Sequence, residues 1–492
     1  NMNASLSVDP DGICAYFLKK SSFSICKPLA HIFMISHETG NIPDFWKKAL
    51  VIPLHKKGDM SEVGYYRPIS LCSVVCKLME TILNSCFSIH LEKNYLLSEN
   101  QFGFRKKKSC ALQLLKCKNE WTQFLDTGET VDIVYIDFSK AFDSVSHSKL
   151  SIKLKMFGLD DKSCNWINSF LLGRTQQVEI NCALSSNRNV TSGVPQGSVL
   201  GPTLFLMFVN DIEMQIQSKI CLFADDVKVY NISSRHDVLT SDLKILYKWA
   251  EKWQLQISLP KCSVLYLGRK NPKLTYKIFD YVLSIDNNEV KDLGVTIDKH
   301  ISFSSHCSNV SKKAKVICNL ILKSFVYQKS SVILMKAFNT YVKPILEYCT
   351  VVWNPFLIKD IKTIETVQRQ FTKRILPNKT LSYTDRLTYL SAETLEKRRL
   401  IFDLSLMFSI IRCNIMPMNK IFVLNENSTR KYHPYTLKLQ RYRSNIRKND
   451  FSIRIIHIWN SLPLDFVESH SQQEFLTKLK KYDLSKHLLG PL

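Results

Sequence analysis

Two adjacent aspartates, Asp225 and Asp226, sit in the stretch FADDVKVY (223–230), between apolar residues of a strongly basic chain. Like charges side by side repel, and anions near an apolar core cost free energy unless a cation neutralises them. A third aspartate, Asp137, ends the run VDIVYID (131–137), whose β-branched residues suit a buried strand. FADDVKVY places its acids between two short apolar stretches, the pattern of a β-hairpin with carboxylates at its tip. If hairpin and strand are neighbours in one sheet, the three carboxylates converge at one edge. Carboxylate oxygens are hard ligands that suit Mg²⁺ or Mn²⁺. Two such ions about 3.5–4 Å apart clamp the attacking and leaving oxygens of an in-line phosphoryl transfer. Taken alone, each aspartate reads as a strand-end cap or turn residue; the chemistry gains weight only where other motifs agree.

These acids need elements to hold them. VEI (178–180), KVYNI (228–232) and VLYLG (264–268) read as further strands, the last ended by Gly268. Leu239, Leu243, Leu246, Ala250 and Trp253 recur at helical spacing, as do Val310, Ala314, Ile317 and Ile321. A helix around 360–375 buries Ile361, Ile364, Val367 and Phe371 and turns Lys362, Arg369 and Lys373 outward, as a solvated face or a contact for a phosphate backbone. The first half reads as mixed α/β. From about 300 to 415 strand patterns are few and amphipathic helices several.

The chain has 492 residues, 45% of them hydrophobic, a net charge of +24 and a pI near 9.3. It can fill a core, and its length suggests two to four domains. A positive excess spread from end to end points to a polyanion lying in a long groove. Residues 199–209, the most apolar stretch, are too short for a membrane span and contain Gly201 and Pro202. The first residues lack the layout of a signal peptide. The expectation is therefore a protein of nucleus and cytoplasm with no membrane partner. Fifteen cysteines occur without a C-x-x-C or zinc-type spacing, which reads as reduced thiols.

The motifs agree in order. VDPDGI (8–13), IPDFWKKALVIPLHKKGD (42–59), YRPISL (66–71), ENQFGFRKKKS (99–109), IDFSKAFDSVSH (136–147), SGVPQGSVLGPTLF (192–205), FADDVKVY, WQLQISLPKC (253–262) and VKDLGVTID (290–298) follow one another. This series resembles the reverse transcriptases of non-LTR (LINE-like) retrotransposons. EYCTVVWNP (347–355), VQRQFTKRI (367–375) and FSIRIIHIWNSLP (451–463) resemble the Jockey/CR1-type branch.

The resemblance implies an α+β right-hand polymerase: fingers, a palm with an antiparallel sheet, a helical thumb and a mainly helical C-terminal region. The corresponding segments are 1–45 (N-terminal extension), 46–298 (fingers and palm), 299–395 (thumb) and 396–492 (C-terminal region). It implies an RNA-directed DNA polymerase that extends a DNA 3′ end on an RNA template with dNTPs and two Mg²⁺ or Mn²⁺ ions. Asp137 and Asp225 would be the main metal ligands, with the Phe138 carbonyl and Asp226 beside them. Lys261 would be a general acid for pyrophosphate. Lys56, Arg67, Gln196 and Gly197 would contact the nucleotide, and Phe142 would exclude a ribose 2′-OH. Arg105, Lys106 and Lys107 would face the template backbone, and Leu293–Gly294 would grip the primer. The sequence departs from the family pattern at Ser146, where Asp is frequent, and at Pro260, where Asn is frequent. No endonuclease motif is visible, so an upstream endonuclease domain is expected in the intact element. The alternative is a catalytically idle, truncated or domesticated RNA-binding protein that keeps this fold.

Overall fold

The computed structural model describes residues 5–6, 8–56, 58–285, 288–328, 330–425 and 433–490, and strands are numbered along the chain. In the first sheet, β1 (Lys48–His55) pairs antiparallel with β2 (Tyr66–Cys72) and parallel with β4 (Thr175–Ile180). Two short strands, β5 (Ala183–Leu184) and β6 (Arg188–Asn189), lie antiparallel to β4. The sequence reading found only the end of β4. Pro53 and Pro68 interrupt the patterns of β1 and β2, which survive because these residues face each other across the pair.

The second sheet has the order β12–β9–β3–β8–β7. Its strands are β3 (Val131–Ile136), β7 (Lys219–Phe223), β8 (Asp226–Ile232), β9 (Ser263–Leu267) and β12 (Ser284–Ile285). The central strand β3 runs antiparallel to both neighbours, β8 and β9. Successive side chains alternate between faces, and the alternation divides the core in two. Val131, Ile133, Cys221, Tyr230, Leu265 and Leu267 face one cluster, shared with the C-terminal helices. Val134, Ile136, Leu222, Val227, Val229 and Val264 face the other, shared with helices of the first half. Covering on both faces explains why β3 is apolar toward both sides, apart from the buried Asp132, which accepts from Ser233 and Tyr276. Two hairpins stand apart: β10 (Lys277–Ile278) with β11 (Tyr281–Val282), and β13 (Glu289–Asp292) with β14 (Val295–Asp298).

The predicted helices form as His236–Trp253, Ser304–Ser324 and Ile358–Ile375. In the last, Ile361, Ile364, Val367 and Phe371 are buried, while Lys362, Arg369 and Lys373 are exposed. Among the described residues no strand occurs between 299 and 423. One helix that the sequence reading passed over, Val74–Lys93, is long and apolar enough to cross a membrane by length and composition. Here it is a core helix: Val75, Cys76, Met79, Leu83, Phe87 and Leu91 are buried, and its buried Glu80 accepts two backbone hydrogen bonds from residues 199 and 200.

Candidate active site

Asp225 occupies a two-residue turn. β7 and β8 pair with Phe223 opposite Asp226, which leaves Ala224 and Asp225 to reverse the chain. Ala224 has φ +56°, a conformation that a Cβ disfavours. The turn is held from behind by residues 100–103. Leu222 and Phe102 exchange backbone bonds with this segment and its neighbour strand, Leu222 N–H to Asn100 O at 2.9 Å and Phe102 N–H to Leu222 O at 2.8 Å. The buried Gln101 Oε1 accepts from Ala224 N–H (3.0 Å) and from Gly103 N–H (2.8 Å). A Cβ on Gly103 would lie 2.4 Å from the Ala224 nitrogen, so only glycine fits.

The antiparallel register sets Ile136 of β3 opposite Val227 of β8. Asp137, one step beyond Ile136, and Asp226, one step before Val227, therefore share one end of the sheet. Burial, then the Asp137 charge, raise the Asp225 carboxyl above its usual range, against the pull of Arg67 and Lys56. Asp226 reaches solvent, yet loss of hydration and the carboxylates of Asp225, Asp292 and Asp137 push it up to about 6, opposed by Lys228. Because the side chain is exposed, the crowd of acids is the cause to which we give weight. Lys261 Nζ lies 3.4 Å from Asp137 Oδ1, with both side chains substantially exposed.

This donor set fits a hard divalent cation in chemistry: it is made of carboxylates that destabilise one another's charge and that a cation would relieve. The carboxylates are not drawn into a closed shell, since among the described residues no group of three His, Cys, Asp or Glu is close enough to hold an ion.

Lys56 and Arg67 are exposed, at the end of the β1–β2 pair, and both act on the Asp225 charge. Phe142 is half-buried, its ring stacked on Phe205 (centroids 4.3 Å, planes 14° apart) with the edge of Phe104 at 6.1 Å. Gln196 donates from Nε2 to Asp143 Oδ1 at 2.8 Å, and its carbonyl accepts from Ser70 N–H at 2.7 Å. Gly197, at φ +121°, is pressed so close to β2 that a Cβ would lie 2.4 Å from Ser70 O. The loop is thus clamped between β2 and the residues after β3. Phe138 is buried and bridges to Ile257.

Arg105 is placed differently from the expectation. Its guanidinium donates to both Glu92 oxygens, Nε to Oε1 at 2.9 Å and Nη2 to Oε2 at 2.7 Å, and its side chain is 6% exposed. A bidentate, enclosed pair of this kind fixes a loop to a helix and leaves no donor face for a phosphate. Lys106 and Lys107 are exposed. Leu293 and Gly294 form the turn of the β13–β14 hairpin, with Asp292 opposite Val295.

Four residues of the site escaped the sequence reading. Gln101 braces the Ala224–Asp225 turn, and Asp143 holds Gln196. Glu80 receives the N–H groups of Val199 and Leu200 at 2.7 and 2.9 Å, at the entrance of helix Gly201–Val209. Asp292 pairs with Lys228, both buried. Gln101 and Asp143 lie inside quoted motifs, each beside an aromatic residue, Phe102 and Phe142; the partners of Glu80 and Asp292 lie too far along the chain to be read.

Residues 54–297 match the family described as reverse transcriptase (RNA-dependent DNA polymerase). Sheet, paired aspartates and family thus define a reverse transcriptase fold. Similar curated proteins include the probable RNA-directed DNA polymerase from transposon X-element of Drosophila melanogaster, 29% identical over 353 residues (68% of this chain, 38% of that protein). The RNA-directed DNA polymerase from mobile element jockey, from the same species, is 30% identical over 297 residues (58% and 32%). Residues 54–297 thus form a reverse transcriptase domain similar to those of non-LTR retrotransposons. It spans 38% and 32% of the length of these two relatives. Among solved structures, apo telomerase from Candida tropicalis has a TM-score of 0.42 at 10% identity, covering 78% of this chain and 66% of that one.

Proposed function

We propose that the chain is an RNA-directed DNA polymerase that adds dNTPs to a DNA 3′ end on an RNA template. The observation that carries this reading is the register of β3 against β8, which brings Asp137 to the end of the sheet where Asp225 and Asp226 lie. Asp137 and Asp225 would hold two Mg²⁺ or Mn²⁺ ions, with the Phe138 carbonyl and Asp226 nearby; such ions supply Lewis acidity for the primer hydroxyl and neutralise phosphate charge.

The remaining steps belong to the chain's own side chains. Lys56 and Arg67 bind the triphosphate, Arg67 with the fork geometry suited to phosphate oxygens. Gln196, preset by Asp143, orients the nucleotide. Lys261 stands within reach of the site to give a proton to the departing pyrophosphate. Lys106, Lys107 and the exposed cations of helix Ile358–Ile375 offer charge to the nucleic-acid backbone. Target-primed synthesis also needs a nick in DNA, for which an upstream endonuclease domain of the intact element is the proposed source.

The test is primer extension on an RNA template with dNTPs. Mg²⁺-dependent product is expected from the native chain and less than about one hundredth of it from Asp225→Ala/Asp226→Ala. Equal product from the two proteins would end the enzyme reading. Arg67→Ala is expected to raise the KM for dNTP about tenfold, in keeping with one charge-assisted phosphate contact; an unchanged KM would remove Arg67 from the nucleotide site.

A further inference from the structure

The β13–β14 hairpin joins neither sheet; among the described residues its two strands pair only with each other. No backbone ladder can therefore fix its height above the catalytic strands. Its attachment is by side chains, and it is gripped from two sides. On the palm side, Lys228 Nζ pairs with Asp292 Oδ2, and both side chains are almost wholly buried. Lys228 lies two residues after Asp226 on β8, so the two side chains leave the same face of the strand. Asp292 is the last residue of β13, immediately before the Leu293–Gly294 turn. On the thumb side, Tyr348 Oη donates to Leu293 O at 2.9 Å, and its ring lies against Gly294. Leu293 (φ +45°) and Gly294 (φ +85°) both hold left-handed backbone, which gives this turn one defined shape.

An apolar contact would bury the hairpin as well and would avoid the hydration lost by two charges. What a buried, directional pair adds is a single register. We propose that Lys228 is a positioning residue. Its buried pair with Asp292 fixes the spacing between the Ala224–Asp225 turn and the Leu293–Gly294 turn, and Tyr348 completes the grip from the thumb. A primer end seated on the second turn is then held at a set distance from the carboxylates beside the first. The inference rests on the polymerase reading for its meaning, but the coupling of the two hairpins is a separate physical claim.

The experiment uses the full chain and three variants: Lys228→Met, Lys228→Arg and Tyr348→Phe. Two quantities are expected to move, affinity for a recessed DNA primer on an RNA template, read by anisotropy, and amide hydrogen exchange over 289–298; the KM for dNTP is read beside them as the quantity expected to stay. Lys228→Met is expected to weaken primer–template binding about tenfold, to leave the KM for dNTP within about twofold, and to speed exchange across 289–298. Lys228→Arg should restore both quantities. Tyr348→Phe removes only a hydroxyl from a partly exposed ring. It should move the same two quantities by about threefold, so the test survives if Lys228→Met fails to fold. Unchanged exchange over 289–298 in Tyr348→Phe, or primer affinity and dNTP KM shifting together, would overturn the proposal. If the native chain extends no primer, the polymerase reading fails by itself; the exchange and anisotropy results still decide the coupling.

Discussion

In the polymerase reading proposed above, a small change in volume at Phe142 is read by the nucleotide. Its ring cannot swing freely, because Phe205 stacks on one side and Phe104 meets it edge-on. A fixed ring excludes an added hydroxyl by contact, and contact of this kind is worth about 1–3 kcal/mol. Phe142→Ala should therefore reduce the preference for dNTP over rNTP by about 10–200-fold, measured as the ratio of kcat/KM values. Selectivity that survives the substitution would place the gate elsewhere. At this scale the sequence was informative for residues whose role depends on near neighbours in a motif. Asp225 and Asp226 were legible because a hairpin tip needs only its own two strands. Arg105 was not: the carboxylate that engages it belongs to Glu92, on the preceding helix, and a run of cations looks alike whether one member is paired or all are free.

At the level of elements, strand β3 and the helices with clean 3.6-residue spacing were readable because burial on defined faces writes a period into the sequence. β1 and β2 were obscured by prolines whose cost depends on the partner strand. The junction of β14 with helix Ser304–Ser324 supplies a pH dependence that no local pattern announces. His306 is buried against the Trp353 ring, and its Nδ1 accepts from Thr296 N–H at 3.1 Å. Burial, then the nearby Lys291 charge, push its pKa down to about 4. In the unfolded chain a histidine titrates near 6.5. Between those values the unfolded state binds a proton that the folded state refuses, so stability rises with pH across this window. Full stabilisation is present above about pH 6.5 and is lost as pH falls toward 4, by on the order of 3 kcal/mol. Urea unfolding at pH 7 and pH 4.5 should register this loss, and His306→Gln should make the two curves more alike. An identical pH response in the variant would assign the loss to other groups.

For the whole molecule, one helix joins parts that the sequence reading kept in separate segments. Helix Cys110–Asp126 packs on the second sheet, yet its polar residues turn toward residues 352 and 443–450. Lys118 Nζ donates to Val352 O at 2.7 Å and pairs with Asp450 at 3.4 Å. Asn119 Oδ1 and Thr122 Oγ1 accept from Arg447, and Asp126 Oδ1 accepts from the Ser444 backbone N–H at 2.7 Å. Arg454 carries the network on to Asp403 and to Val351 O. The same apolar cluster contains Leu114 from this helix, Phe338 from the helical stretch after residue 299 and Phe475 near the end of the chain. None of these pairings has a local sequence signature, since the partners lie from 51 to more than 300 residues apart. Burial lowers the Lys118 ammonium to about 8, with Asp450 opposing the shift; Asp450, although burial works against it, is held below its usual value by Lys118 and Arg447. Both are therefore charged at neutral pH, and removing Lys118 leaves the buried Asp450 with only Arg447 at 3.7 Å and the hydrogen bonds from Ser452. Lys118→Met should cost on the order of 3–5 kcal/mol of folding stability. Replacing both members, Lys118→Met with Asp450→Leu, should recover part of that loss, because the under-compensated carboxylate is gone while Arg447 keeps Asn119, Thr122 and Gln440. Denaturant unfolding followed by Trp459 in the C-terminal region and by Trp121 in the palm helix reports on both sides of the network, using variants that keep one tryptophan at a time. If the segments joined through this helix are one cooperative body, the two probes shift together in Lys118→Met; a shift confined to Trp459 would mean that the part of the chain around Trp459 unfolds on its own.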